Sequence, residues 1–285
     1  MSISIQIFQT GSVRIRPTAY TQPSHHSVIR RRAKFLTDRT WMPEPIPVYT
    51  FLINHPEGPI LFDTGMSPKC KSSKYFPIWA PTIKMTSEIN IEPEDCVVKQ
   101  LQEKGIKPKD LKAVVISHVH HDHTGGLADL FEAPIFMSKE HWKAFSRPVY
   151  ASIEGCAPSH WPKKFVPTFL EAIGGPIGPF PHSYPLTEDG KVVAVDTPGH
   201  VTGHISVIVF AEDTTYFLTG DATYSLDLLD REETDGVNDD PKKAVETMRK
   251  IKQFAREREV VVLVSHDWKS VERLEGKVVF RPSDV

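Results

Sequence analysis

His118-Val-His120-His121-Asp122-His123 packs four histidines and a carboxylate into six residues. Neutral imidazole nitrogens and carboxylate oxygens are the ligands that a borderline Lewis acid such as Zn²⁺ accepts. Three further pieces lie far downstream: Thr197-Pro-Gly-His200, Thr219-Gly-Asp221 and Ser265-His266-Asp267. Together they offer His118, His120, Asp122, His123, His200, Asp221 and His266, which is five imidazoles and two carboxylates. That set is too large for one tetrahedral ion and suits two ions if one carboxylate bridges them. Two cations lower the pKa of a bridging water to about 7, so hydroxide is available without a side-chain base. No serine or cysteine nucleophile is then required, and the G-x-S-x-G elbow of α/β-hydrolases is absent.

Each ligand group ends an apolar, β-like run. Ala113-Val-Val-Ile116 precedes the histidine cluster, Val192-Val-Ala-Val-Asp196 precedes His200, Thr215-Tyr-Phe-Leu218 precedes Asp221, and Val260-Val-Val-Leu-Val264 precedes His266. Strand ends opening into ligand-rich loops are how α/β proteins present chemistry at a sheet edge. Strands are predicted near 3–8, 48–54, 58–62, 113–117, 134–137, 191–196, 204–210, 214–219, 260–264 and 277–281. Helices are predicted near 93–104, 125–130, 139–146 and 241–257. The last is the clearest: Asp240 can cap it, Pro241 suits its first turn, and Val245, Met248, Ile251, Phe254 and Ala255 share one face. Segments 11–47 and 147–190, rich in proline and short of periodicity, read as long loops that wall a pocket or contact a second subunit.

H-x-H-x-D-H, a later His, a later Asp and a last His resemble the motif set of the metallo-β-lactamase superfamily, from about Tyr49 to His266. Asp63 in Leu61-Phe-Asp63-Thr-Gly65 matches the first motif. The resemblance implies a single α/β domain over residues 1–285, a four-layer αββα sandwich with two central mixed sheets and helices outside. It implies that His118, His120 and His200 hold one metal, that Asp122, His123 and His266 hold the other, and that Asp221 bridges them. Asp63 would orient ligands rather than bind metal. Zn²⁺ is the default for both ions, and Mn²⁺, Fe²⁺ or Co²⁺ also suit such nitrogen and oxygen sites.

Tyr224, three residues beyond Asp221, narrows the resemblance to the N-acyl-homoserine lactone lactonases, as do Gly58-Pro-Ile-Leu-Phe-Asp-Thr-Gly-Met66 and Thr197-Pro-Gly-His-Val-Thr-Gly-His204. The resemblance implies a hydrolase in which a metal-bridging hydroxide attacks the ring carbonyl of a small lactone. Tyr224 would face the oxyanion, and Asp122 would pass a proton to the leaving group. His204 reads as a buried, hydrogen-bonded histidine, and His121 as a variable position without a metal role. Trp268, beside His266, is larger than the apolar residue of the better-known lactonases. With Trp41, Phe76, Trp79 and Phe165 it suggests an aromatic wall and a compact cyclic substrate rather than a long acyl chain.

A lactam or cyclic-carbamate amidohydrolase is the nearest alternative, and a thioester hydrolase a more distant one. A net charge of −2 argues against a nucleic-acid or membrane-surface partner. Three cysteines, Cys70, Cys96 and Cys156, form no framework, which points to a cytoplasmic protein. The partner expected is a small cyclic molecule. Arg30-Arg31-Arg32 reads as a solvated or subunit-contacting face, and the stretch from Arg30 to Pro47 could serve a homodimer.

Overall fold

The computed structural model describes residues 2–283. In chain order, β1 (Ser4–Ile15) is followed by α1 (Pro17–Tyr20), α2 (Val28–Thr37), β2 (Ile46–Asn54) and β3 (Ile60–Phe62). Next come α3 (Thr82–Thr86), β4 (Ser87–Asn90), α4 (Val97–Glu103), β5 (Ala113–Ile116), β6 (Ile135–Met137), α5 (Lys139–Phe145), α6 (Pro148–Ile153) and β7 (Thr168–Phe169). The chain ends with β8 (Tyr184–Pro185), β9 (Val192–Asp196), β10 (Ile205–Phe210), β11 (Thr215–Leu218), α7 (Leu226–Arg231), α8 (Pro241–Glu257), β12 (Val260–Leu263) and α9 (Lys269–Glu275). These elements fall into two compact units, one of Ile3–Ile15 with Trp41–Phe169, the other of Arg16–Thr40 with the chain from Leu170.

The first unit holds a mixed seven-stranded sheet in the order β4-β1-β2-β3-β5-β6-β7. β3 and β5 are parallel neighbours, so Asp63 and the histidine loop leave from the same edge. Both strands are buried along their whole length, as continuous apolar runs in a parallel arrangement should be. The second unit holds a mixed five-stranded sheet in the order β12-β11-β10-β9-β8. β9 and β11 are each antiparallel to β10, and β12 is parallel to β11. β9, β11 and β12 therefore point the same way, and His200, Asp221 and His266 all follow carboxyl ends on one edge.

α8 packs on the second sheet through Met248, Ile251, Phe254 and Ala255, in one cluster with Val195, Ile208, Phe217 and Val262. Asp240 caps it, accepting from Lys242 N and Lys243 N at 3.1 Å each. Gly199 lies in the left-handed region at φ +140°, and a Cβ there would sit 2.3 Å from Ala244 Cα. Only glycine lets the turn that carries His200 approach α8 so closely.

Several elements differ from the sequence expectation. β1 runs on to Ile15 across a register shift between Gln9 and Ser12, where Gly11 takes φ +102°. A bulge breaks the alternation that the sequence reading used to end the strand. Residues 125–130 make successive turns rather than a helix, because Gly125 and Gly126 press on the backbone of Gly65–Ser67 and Thr64, leaving no room for a regular coil. Cys96 divides the predicted 93–104 helix into a 3₁₀ turn and α4. Segment 277–281 joins no sheet, although Phe280 N donates to Val260 O at 2.9 Å. Segment 11–47 carries α1 and α2, and 147–190 carries α6, β7 and β8, more regular structure than their prolines suggest.

Arg31 corrects the reading of its arginine run. Arg30 and Arg32 are exposed, but Arg31 is buried inside its own unit. Its Nη1 donates to Gln22 O at 2.9 Å and Pro23 O at 2.7 Å, and its Nη2 donates to Thr234 Oγ1 at 2.9 Å and to Asp235 O. A buried guanidinium needs acceptors, and here three backbone carbonyls and one hydroxyl take both terminal nitrogens.

Candidate metal centre

In the first unit the ligand loop is held by a buried acid. Asp63 sits at φ +62°, and its backbone N donates to Val115 O at 2.9 Å. Its Oδ1 accepts from Ser117 N at 2.7 Å, and its Oδ2 accepts from Ser117 Oγ at 2.8 Å. The same Oδ2 lies 2.8 Å from His123 Nδ1. A carboxylate can only accept, so His123 carries its proton on Nδ1 and offers Nε2 as a lone pair. Ser117 has one hydroxyl proton, given to Asp63, and therefore accepts from His118 Nδ1 at 3.0 Å. His118 likewise offers Nε2, which lies 2.9 Å from His120 Nδ1.

Backbone bonds fix the rest of the loop. Thr64 N and Oγ1 both donate to His123 O at 2.9 Å, Thr124 Oγ1 donates to His120 O at 2.9 Å, and Val119 N donates to His141 Nε2 at 2.9 Å. His118 and His123 are fully buried, and His120 and Asp122 are half-buried. Ligand atoms of His118 and His120 come within 4.8 Å of each other, as do those of Asp122 and His123.

In the second unit Asp221 lies between two imidazoles. Its Oδ1 is 3.1 Å from His266 Nε2, and its Oδ2 is 3.4 Å from His200 Nε2. Its backbone N donates to His204 Nε2 at 3.1 Å, so His204 is protonated on Nδ1 and donates to Thr197 Oγ1 at 2.9 Å. Thr197 passes the chain to Ser206 Oγ at 2.7 Å, which donates to Thr219 O at 2.9 Å. His204 is thus buried and hydrogen-bonded, as the sequence suggests. His200 Nδ1 faces a residue that the sequence did not flag, Asp235, whose Oδ2 is 3.2 Å away. Tyr224 is buried beside these ligands, its ring 5.0 Å from His266 and 5.9 Å from His200, centroid to centroid. Tyr20 stands 6.1 Å from it, its phenol held protonated above the usual tyrosine range by burial.

The remaining expected site residues have separate local settings. Phe76 is buried and meets His121 edge-on at 5.1 Å, which accounts for His121 as packing. Phe165 joins Trp142 at 5.4 Å and Trp161 at 6.4 Å, while Trp41 lies under the Arg14 guanidinium at 5.7 Å. Trp79 is exposed, and Trp268 is about half-exposed where α9 begins. Cys70 is no rival nucleophile: burial, reinforced by the Asp122 charge, pushes its thiol up to about 12. Ser117 and Asp235 were missed by sequence reasoning. Ser117 directly precedes the histidine cluster and could have been suspected, whereas Asp235 lies in an irregular loop with no local signal.

The donor set fits divalent metal. Nδ1 of His118 and of His123 is engaged by neighbours that leave Nε2 as the ligand atom, the arrangement that ligating histidines require. Asp221 brings negative charge between two imidazole nitrogens. Among the described residues no helix is long and apolar enough to cross a membrane.

Over 229 residues the chain is 28% identical to the N-acyl homoserine lactonase AiiA of Bacillus thuringiensis subsp. kurstaki, covering 78% of this chain and 82% of that protein. It is 28% identical over 236 residues to the N-acyl homoserine lactonase AttM of Azorhizobium caulinodans, covering 81% and 87%. A solved N-acyl homoserine lactone hydrolase with N-hexanoyl-L-homoserine at its catalytic metal centre superposes with a TM-score of 0.73 at 22% identity, covering 95% of this chain and 96% of that one. The dizinc quorum-quenching lactonase AidC gives a TM-score of 0.61 at 16% identity, covering 94% and 89%. Two mixed sheets with helices are the fold these proteins share with the chain. The profile of the metallo-β-lactamase superfamily matches residues 43–266, and the chain belongs to that superfamily.

Proposed function

We propose that the chain is a metal-dependent hydrolase that opens a small cyclic ester. Two divalent ions, Zn²⁺ by default, would be held by His118, His120 and His200 on one side and by Asp122, His123 and His266 on the other. Asp221 would be shared. The observation that carries this reading is Asp221, buried with one oxygen toward each of His200 and His266. A carboxylate so placed can serve two ions at once. The lactonase relatives, alike over about four-fifths of the chain, support the ester as substrate.

When bound, the ions supply hydroxide at neutral pH by lowering the pKa of water to about 7, and they polarise the ring carbonyl. The chain supplies orientation and proton traffic. Tyr224, its ring beside both His200 and His266, would donate its phenol O–H to the oxyanion as the carbonyl carbon becomes tetrahedral. Asp122, half-buried, would carry a proton to the departing ring oxygen. Trp268, two residues beyond His266 and about half-exposed, would favour a compact, flat substrate. Free Cys70, Cys96 and Cys156 suit a reducing cytosol.

Tyr224→Phe is expected to lower kcat about a hundredfold, the scale of losing one oxyanion donor, with the metal content intact. Unchanged kcat removes Tyr224 from the reaction. The substrate is tested by comparing initial rates on short-chain acyl lactones, long-chain acyl lactones, bicyclic aromatic lactones and the matching lactams. Compact lactones are expected to lead. A clear preference for long chains defeats the role of Trp268, and a preference for lactams replaces the ester with an amide.

A further inference from the structure

Asp235 lies in the loop between α7 and α8, well beyond His200 in sequence, and is buried. An isolated carboxylate in such a place is unfavourable unless it is paired or hydrogen-bonded. Its Oδ1 accepts from Val237 N at 3.0 Å, and Asn238 Nδ2 lies 3.4 Å from its Oδ2. That Oδ2 is also 3.2 Å from His200 Nδ1, on the side of the ring opposite Nε2 and Asp221. A carboxylate behind a ligating imidazole fixes which nitrogen carries the proton and makes the other a better donor.

The backbone that carries Asp235 is clamped from the N-terminal helices. Thr234 O accepts from Gln22 N and from Thr21 Oγ1, each at 3.2 Å, and Gly236 N donates to Ala19 O at 2.8 Å. Arg31 closes the clamp, its Nη2 reaching both Thr234 Oγ1 and Asp235 O. The guanidinium also places a buried positive charge near the Asp235 carboxylate. Gly236 leaves no slack, since a Cβ there would fall 1.7 Å from Thr18 O.

We propose that Asp235 is the positioning residue of His200 and that Arg31 of α2 sets Asp235, so that metal affinity at His200 depends on the N-terminal helices. The proposal rests on His200 being a metal ligand. Asp235 holds the His200 proton on Nδ1 and presents Nε2 to the ion. Arg31 keeps the loop from carrying Asp235 away. The same contact explains the buried arginine in an otherwise solvated basic run.

The test loads the full chain with Zn²⁺ and measures affinity by chelator competition in wild type, Asp235→Asn, Arg31→Lys and His200→Ala, with melting of each metal-free form. Asn keeps the acceptor for Val237 N but turns an amide donor toward the His200 Nδ1–H. Asp235→Asn is expected to bind one ion about tenfold to a hundredfold more weakly, the usual effect of losing such a partner, at an unchanged metal-free melting temperature. Arg31→Lys, which keeps the charge but not the fork, is expected to lose less in the same direction. Wild-type affinity in Asp235→Asn, with the ion lost in His200→Ala, overturns the proposal and leaves the site reading intact. Two tightly held ions in His200→Ala overturn the site reading itself. Should Asp235→Asn prove unstable, the wild-type protein decides through its long-range proton–nitrogen spectrum: a His200 proton on Nδ1 sustains the proposal, and one on Nε2 ends it.

Discussion

Asp221→Asn is expected to lower kcat/KM for lactone opening by about a thousandfold or more and to leave the protein holding fewer than two tightly bound ions. The side chain is almost completely buried, and its two oxygens face different histidines, His266 at 3.1 Å and His200 at 3.4 Å. Asparagine keeps the volume but removes the negative charge, and its amide group must point donor hydrogens at one of the two imidazoles. Where both imidazoles offer Nε2 to a cation, that amide replaces a ligand with a repulsive contact. A loss of about 4 kcal/mol in transition-state stabilisation is a thousandfold in rate. The backbone contact to His204 does not depend on the carboxylate, so the fold should persist. Metal analysis alongside kinetics checks the prediction, and two tightly held ions with a near-normal rate contradict the bridging role.

Asp63→Asn is expected to weaken metal binding about tenfold to a hundredfold without removing a ligand. Asparagine tolerates the left-handed conformation that Asp63 adopts at φ +62°, so the backbone turn survives. The hydrogen-bond pattern does not. Three donors converge on the carboxylate, Ser117 N, Ser117 Oγ and His123 Nδ1. An amide can accept with only one of its two terminal atoms, so at least one buried donor is left facing another. Each such loss costs roughly 1–3 kcal/mol in a buried network. His123 is then free to flip its ring or its tautomer, and Ser117 no longer fixes His118. Chelator competition and melting of the metal-free protein measure both effects. Unchanged values in both would show that Asp63 orients nothing.

The candidate ligand residues were legible because each follows a strand whose apolar run is unmistakable, as in Val260–Leu263 before His266. α8 was legible for the same reason: its cap, its N-terminal proline and its apolar face all lie in one continuous stretch. What escaped was set by partners distant in sequence. Arg31 belongs to an exposed-looking basic run, and only the Asp235 carbonyl and the Thr234 hydroxyl, more than two hundred positions away, together with nearby Gln22 and Pro23, make its burial tolerable. Asp235 carries no local pattern at all, since its meaning lies in His200. The turns at 125–130 looked helical from composition, yet Gly125 sits where any Cβ would collide with Ser67 N at 2.3 Å. The bulge at Gly11 hid half of β1 by interrupting its alternation.

The most direct measurement titrates Zn²⁺ into metal-free protein while following opening of a compact lactone. Activity is expected to be absent without metal, to rise with added Zn²⁺ and to reach its plateau at two equivalents per chain. A plateau at one equivalent, or ring opening by the metal-free protein, contradicts a two-ion hydrolase.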